Sequence, residues 1–160
     1  MLNGEGLRVV LWLSGCSHKC FGCQNMSTWD YNDGLEFDDD ALNEIYNELE
    51  NDWCSGITLS GGDPLFEKNR VDVEKLVKSL KKDFPNKSIW CYTGYKYEEL
   101  IDMKDDVVLS ILNNINVLLD GKFVLKLCDE KIEYVGSSNQ LIIDVKKSLK
   151  LNKKVLYKIK

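Results

Sequence analysis

The stretch "GITLSGGDPLFEKNRVDVEKLVKSLKKDFPNKSIWCYTG", residues 56–94, decides the fold. It opens on a short apolar run, "GITLS" (56–60), that stops at a glycine pair. A run of this kind, bounded by turn residues, predicts a buried strand. Residues 71–84 then place Val73, Leu76, Val77, Leu80 and Phe84 at helical spacing. The lysines of that segment gather near its end, where the helix dipole favours cations. "KSIWCYT" (87–93) returns to strand character. Strand, helix and strand in this order make a parallel β-α-β unit with a right-handed crossover.

The same alternation extends outward in both directions. "LRVVLWL" (7–13) reads as a buried strand ending at Ser14-Gly15. "DDDALNEIYNELEN" (38–51) sets Ala41, Leu42, Ile45, Tyr46 and Leu49 on one helical face, with its acids at the start. "YKYEELIDM" (95–103) reads as helix and "INVLLDG" (115–121) as strand. "QLIIDV" (140–145) suits either a fifth strand or the start of a last helix. There is room for about four to six β-α units, too few for a closed eight-stranded barrel. The expected fold is α/β: an open, partial (β/α) barrel with a mostly parallel sheet, in one domain over residues 1–160.

Bulk composition narrows the function. An apolar content of 44 % in 160 residues supports one sizeable core. The longest apolar runs are far too short to span a membrane. No charged start precedes a long apolar stretch, so the cytoplasm is the expected location. A net charge of −5 argues against sequence-independent binding of nucleic acid. After Asp144 the acids stop, and Lys146, Lys147, Lys150, Lys153, Lys154, Lys158 and Lys160 follow. This lysine-rich tail, about 146–160, reads as a solvated segment or as a docking patch for an acidic partner.

"SGCSHKCFGCQN" (14–25) follows directly on the first strand and carries Cys16, Cys20 and Cys23. Clustered cysteines without an export signal read as metal ligands or redox centres. A four-iron cluster is usually held by four thiolates. Three would leave one iron with an open position, as catalytic zinc sites leave one position open. Gly15 and Gly22 give the loop freedom to wrap such a group. The rival is zinc with His18, the one histidine of the chain, as fourth ligand. Structural zinc ligands usually come as two pairs, so the spacing favours iron and sulfur. His18 then stands beside the site or faces solvent. Cys54, Cys91 and Cys128 lie far apart and read as buried free thiols.

"SGGDP" (60–64) offers backbone groups to a ligand's ammonium or carboxylate, or is ordinary turn chemistry. "DGK" (120–122) sets an anion and a cation two residues apart, on one side if the strand alternation persists. That pair suits an amino-acid zwitterion or a surface turn. Chemistry in parallel α/β folds sits at the carboxyl ends of the strands. The cysteines, "GGDP", "YTGY" and "DGK" all follow predicted strands, so they should share one rim.

These residues resemble a known family. Cys16-x3-Cys20-x2-Cys23, followed by Gly61-Gly62-Asp63-Pro64, is the pattern of the radical S-adenosylmethionine (SAM) enzymes. "NGEGLRVVLWLSGC" (3–16) and "CQNMSTW" (23–29) are similar to segments of the glycyl-radical-enzyme activases. "TGYK" (93–96), "LLDGKF" (118–123) and "GSSNQ" (136–140) resemble the short branch acting on anaerobic ribonucleoside-triphosphate reductase. The likeness runs from residue 3 to about residue 143. It implies a [4Fe–4S] cluster on Cys16, Cys20 and Cys23, with SAM on the open iron. It implies an enzyme that cleaves SAM reductively and leaves a glycyl radical near the carboxyl end of the reductase large subunit. It further implies that Gly61, Gly62 and Asp63 meet the methionyl end of SAM. The backbone at Gly22, Cys23 and Gln24 would meet the adenine, and Asp120 and Lys122 would lie beside SAM and the incoming glycine loop. Many relatives carry an aromatic just before the third cysteine, where this chain has Gly22. A flavodoxin-like protein is the implied electron donor, and the free chain could be a monomer or a homodimer. Two other classes share part of the pattern. One is a small-molecule radical SAM enzyme of the deazapurine-synthase kind, and the other is a zinc-stabilised interaction module.

Overall fold

Strand and helix alternate along the chain as the apolar spacing predicts, and the strands join in one sheet. The computed structural model describes residues 3–159. In chain order the elements are β1 (Leu7–Leu13), α1 (Asp39–Glu50), β2 (Cys54–Gly61), α2 (Arg70–Asp83), β3 (Ser88–Tyr92), α3 (Tyr97–Asp102), α4 (Asp106–Asn114), β4 (Val117–Asp120), β5 (Leu141–Asp144) and α5 (Val145–Leu151). The sheet order is β1-β2-β3-β4-β5. The first four strands are parallel, and β5 runs antiparallel to β4. The sheet is open, with β1 and β5 at its edges.

Strand side chains alternate between two faces. Ile57, Leu59, Ile89, Cys91, Leu118 and Ile143 share one buried cluster with Ile45, Leu49, Val73, Val77, Leu100, Val108, Ile111 and Leu112 of the helices. The opposite face presents Trp90, Val117 and Leu119, covered by Val135, Ile132, Tyr134 and Tyr157 rather than by helices. Towards the carboxyl end of β1 that cover stops, and Trp12 is half exposed. At the other end Arg8 closes the sheet. Its Nε donates to Thr58 Oγ1 (2.9 Å), one terminal nitrogen to Ile57 O (2.8 Å) and Ser88 O (2.7 Å), and the other to Ser88 Oγ (2.9 Å) and Glu5 O (3.2 Å). Burial pulls its pKa down to about 10, still charged at neutral pH. The amino ends of the strands are thus sealed by a satisfied guanidinium, and the carboxyl ends are left for chemistry.

One feature departs from the sequence reading, and two alternatives it left open are resolved. Residues 106–114 form a helix that was not anticipated, with Val108, Ile111 and Leu112 buried on one face. "QLIIDV" resolves as strand followed at once by helix. Asp144 ends β5, and its side chain caps α5 by accepting from Lys147 N (3.0 Å). The lysine-rich segment is therefore not a loose solvated tail. Leu156 bridges Ile143, Tyr157 N donates to Ile142 O (2.8 Å), and Tyr157 Oη donates to Glu5 Oε2 (2.8 Å). Its lysines up to Lys158 do stay on the surface, where Lys154 pairs with Glu98 (2.6 Å). Among the described residues no helix is long and apolar enough to cross a membrane.

Asp105 starts α4 by accepting from Val107 N (2.9 Å) and Val108 N (3.1 Å), with Arg70 Nη1 at 3.0 Å. The Val108 amide leads the causes that hold its carboxyl below the usual range, helped by Val107 and Arg70. Because folding lowers this pKa, the ionised group stabilises the fold fully above the ordinary carboxylate value and ceases to as the pH falls through the lowered one. Asp105→Ala is expected to cost about 1 kcal/mol at neutral pH, as a lost helix cap does. The cost should shrink in acid. Urea denaturation of both proteins across a pH series checks it, and a pH-independent difference would refute the assignment.

Candidate functional site

Each strand end at the carboxyl edge passes into a loop that is hydrogen-bonded to the next. After β1, Gly15 N donates to Thr28 O (2.8 Å) and Cys16 N to Trp29 O (3.1 Å), which closes residues 15–29 into a loop containing all three clustered cysteines. A 3-10 turn at Met26–Thr28 forms its far side. After β2, Gly62 N donates to Leu13 O (2.7 Å) and Asp63 N to Gly15 O (2.8 Å). A Cβ on Gly62 would stand 2.5 Å from Gly15 O and 2.7 Å from Thr28 O, so no larger residue fits there. After β3, Tyr95 O accepts from Gly121 N (3.0 Å), which joins this loop to the one after β4.

The carboxylate of Asp63 binds three of these loops together. It is buried, and four donors satisfy it. Oδ1 accepts from Leu65 N (2.8 Å), and Oδ2 from Thr93 Oγ1 (3.0 Å), Gly94 N (3.0 Å) and His18 Nε2 (2.8 Å). Asn69 Nδ2 adds a tie from α2's N-cap to Asp63 O (3.1 Å) and Ser14 O (3.0 Å). The side chain of Asp63 is therefore held entirely within the protein. Sequence reasoning gave Asp63 a ligand role and gave Thr93 and Asn69 none. Their signal is a hydroxyl at a strand end and an amide before a helix, too common to single out without coordinates.

The three cysteines are free and partly exposed. The Asn25 amide points at Cys23 Sγ (3.4 Å). Burial pushes the Cys16 thiol up, opposed by the amides of His18 and Lys19 that point at its sulfur. Backbone N–H groups aimed at sulfur favour thiolate, the form that binds metal. Among the described residues no three of His, Cys, Asp or Glu converge closely enough to grip a single ion. A four-iron cube spreads its ligands over separate corners, so three thiols on one loop fit it without meeting at a point. Nε2 of His18 is taken by Asp63 (2.8 Å), so that nitrogen is not open to a metal. Gly22 (φ +73°) lies beside Leu125, and Gln24 is exposed next to it.

The "DGK" pairing does not form. β4 ends at Asp120 and Gly121 turns at φ +96°, so alternation stops and the side chains part. Asp120 is buried, accepting from Tyr97 N (2.8 Å) and Leu141 N (3.3 Å), while Lys122 is exposed. Burial raises the Asp120 carboxyl pKa, with the Tyr97 amide opposing. "GSSNQ" folds back on this turn: Gln140 Nε2 donates to Gly121 O (2.9 Å) and Asn139 Nδ2 to Lys122 O (2.8 Å). Of the isolated cysteines, Cys54 and Cys91 are buried as expected, but Cys128 is exposed because it lies in the loop before this return.

An open parallel α/β sheet with a three-cysteine loop at its carboxyl edge defines an iron–sulfur protein class, and the comparisons bear on that class directly. Residues 2–143 match the family model of a 4Fe-4S single cluster domain. An anaerobic ribonucleoside-triphosphate reductase-activating protein of Escherichia coli is 43% identical over 144 residues, covering 89% of this chain and 91% of its own length. Proteins of the same name from Enterobacteria phage T4 and Haemophilus influenzae are 42% and 41% identical, over 87% and 89% of this chain and 85% and 90% of theirs. No solved structure matches. The chain belongs to the family of anaerobic ribonucleoside-triphosphate reductase-activating proteins.

Asp63→Asn tests the junction. The amide keeps one acceptor for Leu65 but turns its own N–H groups towards the Gly94 N–H, an obligate donor, and towards Thr93 and His18, which must reverse their roles to accept. The expected cost is about 1–3 kcal/mol, the penalty for buried polar groups left unpaired. A urea midpoint equal to that of the parent would show that the junction carries no stability.

Proposed function

We propose that this chain activates an anaerobic ribonucleoside-triphosphate reductase by radical SAM chemistry. Cys16, Cys20 and Cys23 hold a [4Fe–4S] cluster, and SAM takes the iron they leave uncovered. The observation that carries this reading is the loop itself. Three free, partly exposed thiols lie on one closed loop, bonded backbone to backbone with a Gly-Gly turn, at the carboxyl edge of a parallel sheet. The reading draws further support from relatives that are named for activating that reductase.

Held by Cys16, Cys20 and Cys23, the cluster would supply the one-electron reduction that cleaves the sulfonium of SAM, with one reductase glycine giving up a hydrogen atom from its Cα. The residues of this chain bind, orient and shield. Backbone groups of the turn at Gly61 and Gly62 serve the methionyl end of SAM. Asp63 contributes by holding that turn and not by touching the ligand. Main-chain groups at Gly22, Cys23 and Gln24 serve the adenine, since Gly22 offers no ring. Lys122, exposed beside the turn after β4, is free to meet the incoming glycine loop, and buried Asp120 fixes the turn that carries it. Hydrogen transfer needs reacting atoms within roughly 3–3.5 Å. An open sheet, acting as a partial barrel of the radical SAM type, lets a polypeptide come that close. A flavodoxin-like donor and a reducing, cytoplasmic setting suit an air-sensitive cluster on unpaired thiols. The chain could work as a monomer or a homodimer.

Anaerobic reconstitution with iron and sulfide, followed by reduction with SAM and the reductase, tests the proposal. The expected results are 5′-deoxyadenosine, methionine and a doublet glycyl signal in the electron paramagnetic resonance (EPR) spectrum of the reductase. Cys16→Ala, Cys20→Ala and Cys23→Ala should each abolish all three, whereas Cys54→Ala should keep them. A Cys20→Ala protein that still cleaves SAM would contradict the ligand assignment. Turnover of a free metabolite without a protein radical would favour a small-molecule enzyme instead.

A further inference from the structure

We infer that His18 is a positioning residue that fixes the cysteine loop against the Gly61–Pro64 turn through Asp63. It thereby sets where Cys16 and Cys20 stand. Its neighbours Ser17 and Lys19 are exposed, yet the His18 side chain is only 7% exposed. The ring lies in a slot built by three residues. Asp63 Oδ2 faces Nε2 at 2.8 Å, Tyr95 packs edge-on with ring centroids 4.5 Å apart, and Gly94 forms the floor. A Cβ at Gly94 would stand 2.3 Å from His18 Cδ2, so the glycine there makes room for the ring. Oδ2 is a carboxylate acceptor, so Nε2 carries the hydrogen.

Among the described residues, the other bonds of residues 17–22 stay within the cysteine loop, as from Cys23 N to Cys20 O (3.1 Å), and this is the one that ties them to a distant part of the chain. Residue 19 then turns at φ +45°, which costs energy for a lysine and persists only where its surroundings hold it. With His18 anchored, Cys16 and Cys20 flank a fixed point at two residues' distance on either side. Without it, the loop between the first and third cysteines keeps only its local bonds and its packing. The same bond completes the donor set of Asp63, so the loop and the turn are fixed by one interaction.

The test compares His18→Gln and His18→Leu in the full chain. The Nε2 amide of Gln can reach the place of the imidazole Nε2, whereas Leu fills space without a donor. Hydrogen exchange at the Cys16, Gly62, Asp63 and Gly94 amides reads the coupling in protein without cluster. His18→Leu should speed exchange at these amides by roughly tenfold or more, with Leu59 and Leu118 unchanged, and His18→Gln should restore it. The second reading, which rests on the proposed cluster, is the EPR spectrum of the reduced, reconstituted protein with and without SAM. His18→Leu should blur the change that SAM produces, and His18→Gln should recover it. Wild-type exchange in His18→Leu would overturn the inference, and so would failure of His18→Gln to restore what His18→Leu loosened. If the parent chain takes up no cluster, the proposed function fails, while the exchange measurement still decides the role of His18.

Discussion

A single buried carboxylate organises the carboxyl edge of this protein. Removing a carboxylate from water costs several kcal/mol, and the cost is offset only when every lone pair finds a donor. Asp63 meets that condition with four donors drawn from three separate loops. The arrangement is therefore cooperative. Any one loop that drifts away leaves the charge under-satisfied and weakens the hold on the other two. Parallel strands end side by side, and their loops have no ladder of their own beyond the sheet. A shared acceptor is an economical way to keep them in register.

The two ends of the sheet show why the site lies where it does. At the amino end Arg8 fills the space between strands and satisfies its donors on Thr58, Ser88 and nearby carbonyls. At the carboxyl end the polar groups bond to one another. Helices cover one face, and a strap around Val135 with Tyr157 covers part of the other. What stays open is the region beside Trp12 and the cysteine loop, bordered by exposed Phe21 and Leu125. Such an opening suits the polypeptide substrate proposed above, which a closed barrel would exclude.

Much of the scaffold was legible in the sequence, because apolar spacing reports burial. The predicted strand at 7–13 coincides with β1, and the helices at 38–51 and 71–84 match α1 and α2 within a residue or so at each end. α4 was missed although Val108, Ile111 and Leu112 repeat at helical spacing, because the segment runs straight into the apolar strand after it with only Asn113 and Asn114 between. The tail was ambiguous for a different reason. Charge pattern describes side chains, and the lysines do face solvent, but the backbone beneath them pairs with β5 through Leu156 and Tyr157. At the site, the cysteine spacing and the glycine pair were plain because ligand spacing and close backbone approach both restrict residue type. The part played by Asp63 was not plain. A turn aspartate that binds a ligand and one that binds its neighbours look alike until the donors are placed around it.

On the proposed reading, a loop that offers three ligands to a four-cornered group carries a structural difficulty. A fourth protein ligand would brace the loop by closing the shell, but it would also occupy the corner that reactivity requires. The bracing must then come from residues that touch no metal. Backbone bonds from Gly15 and Cys16 to Thr28 and Trp29 brace the ends of the loop, and on the inference drawn above His18 braces its middle through its bond to Asp63. A histidine between two cysteines then serves the loop as a brace.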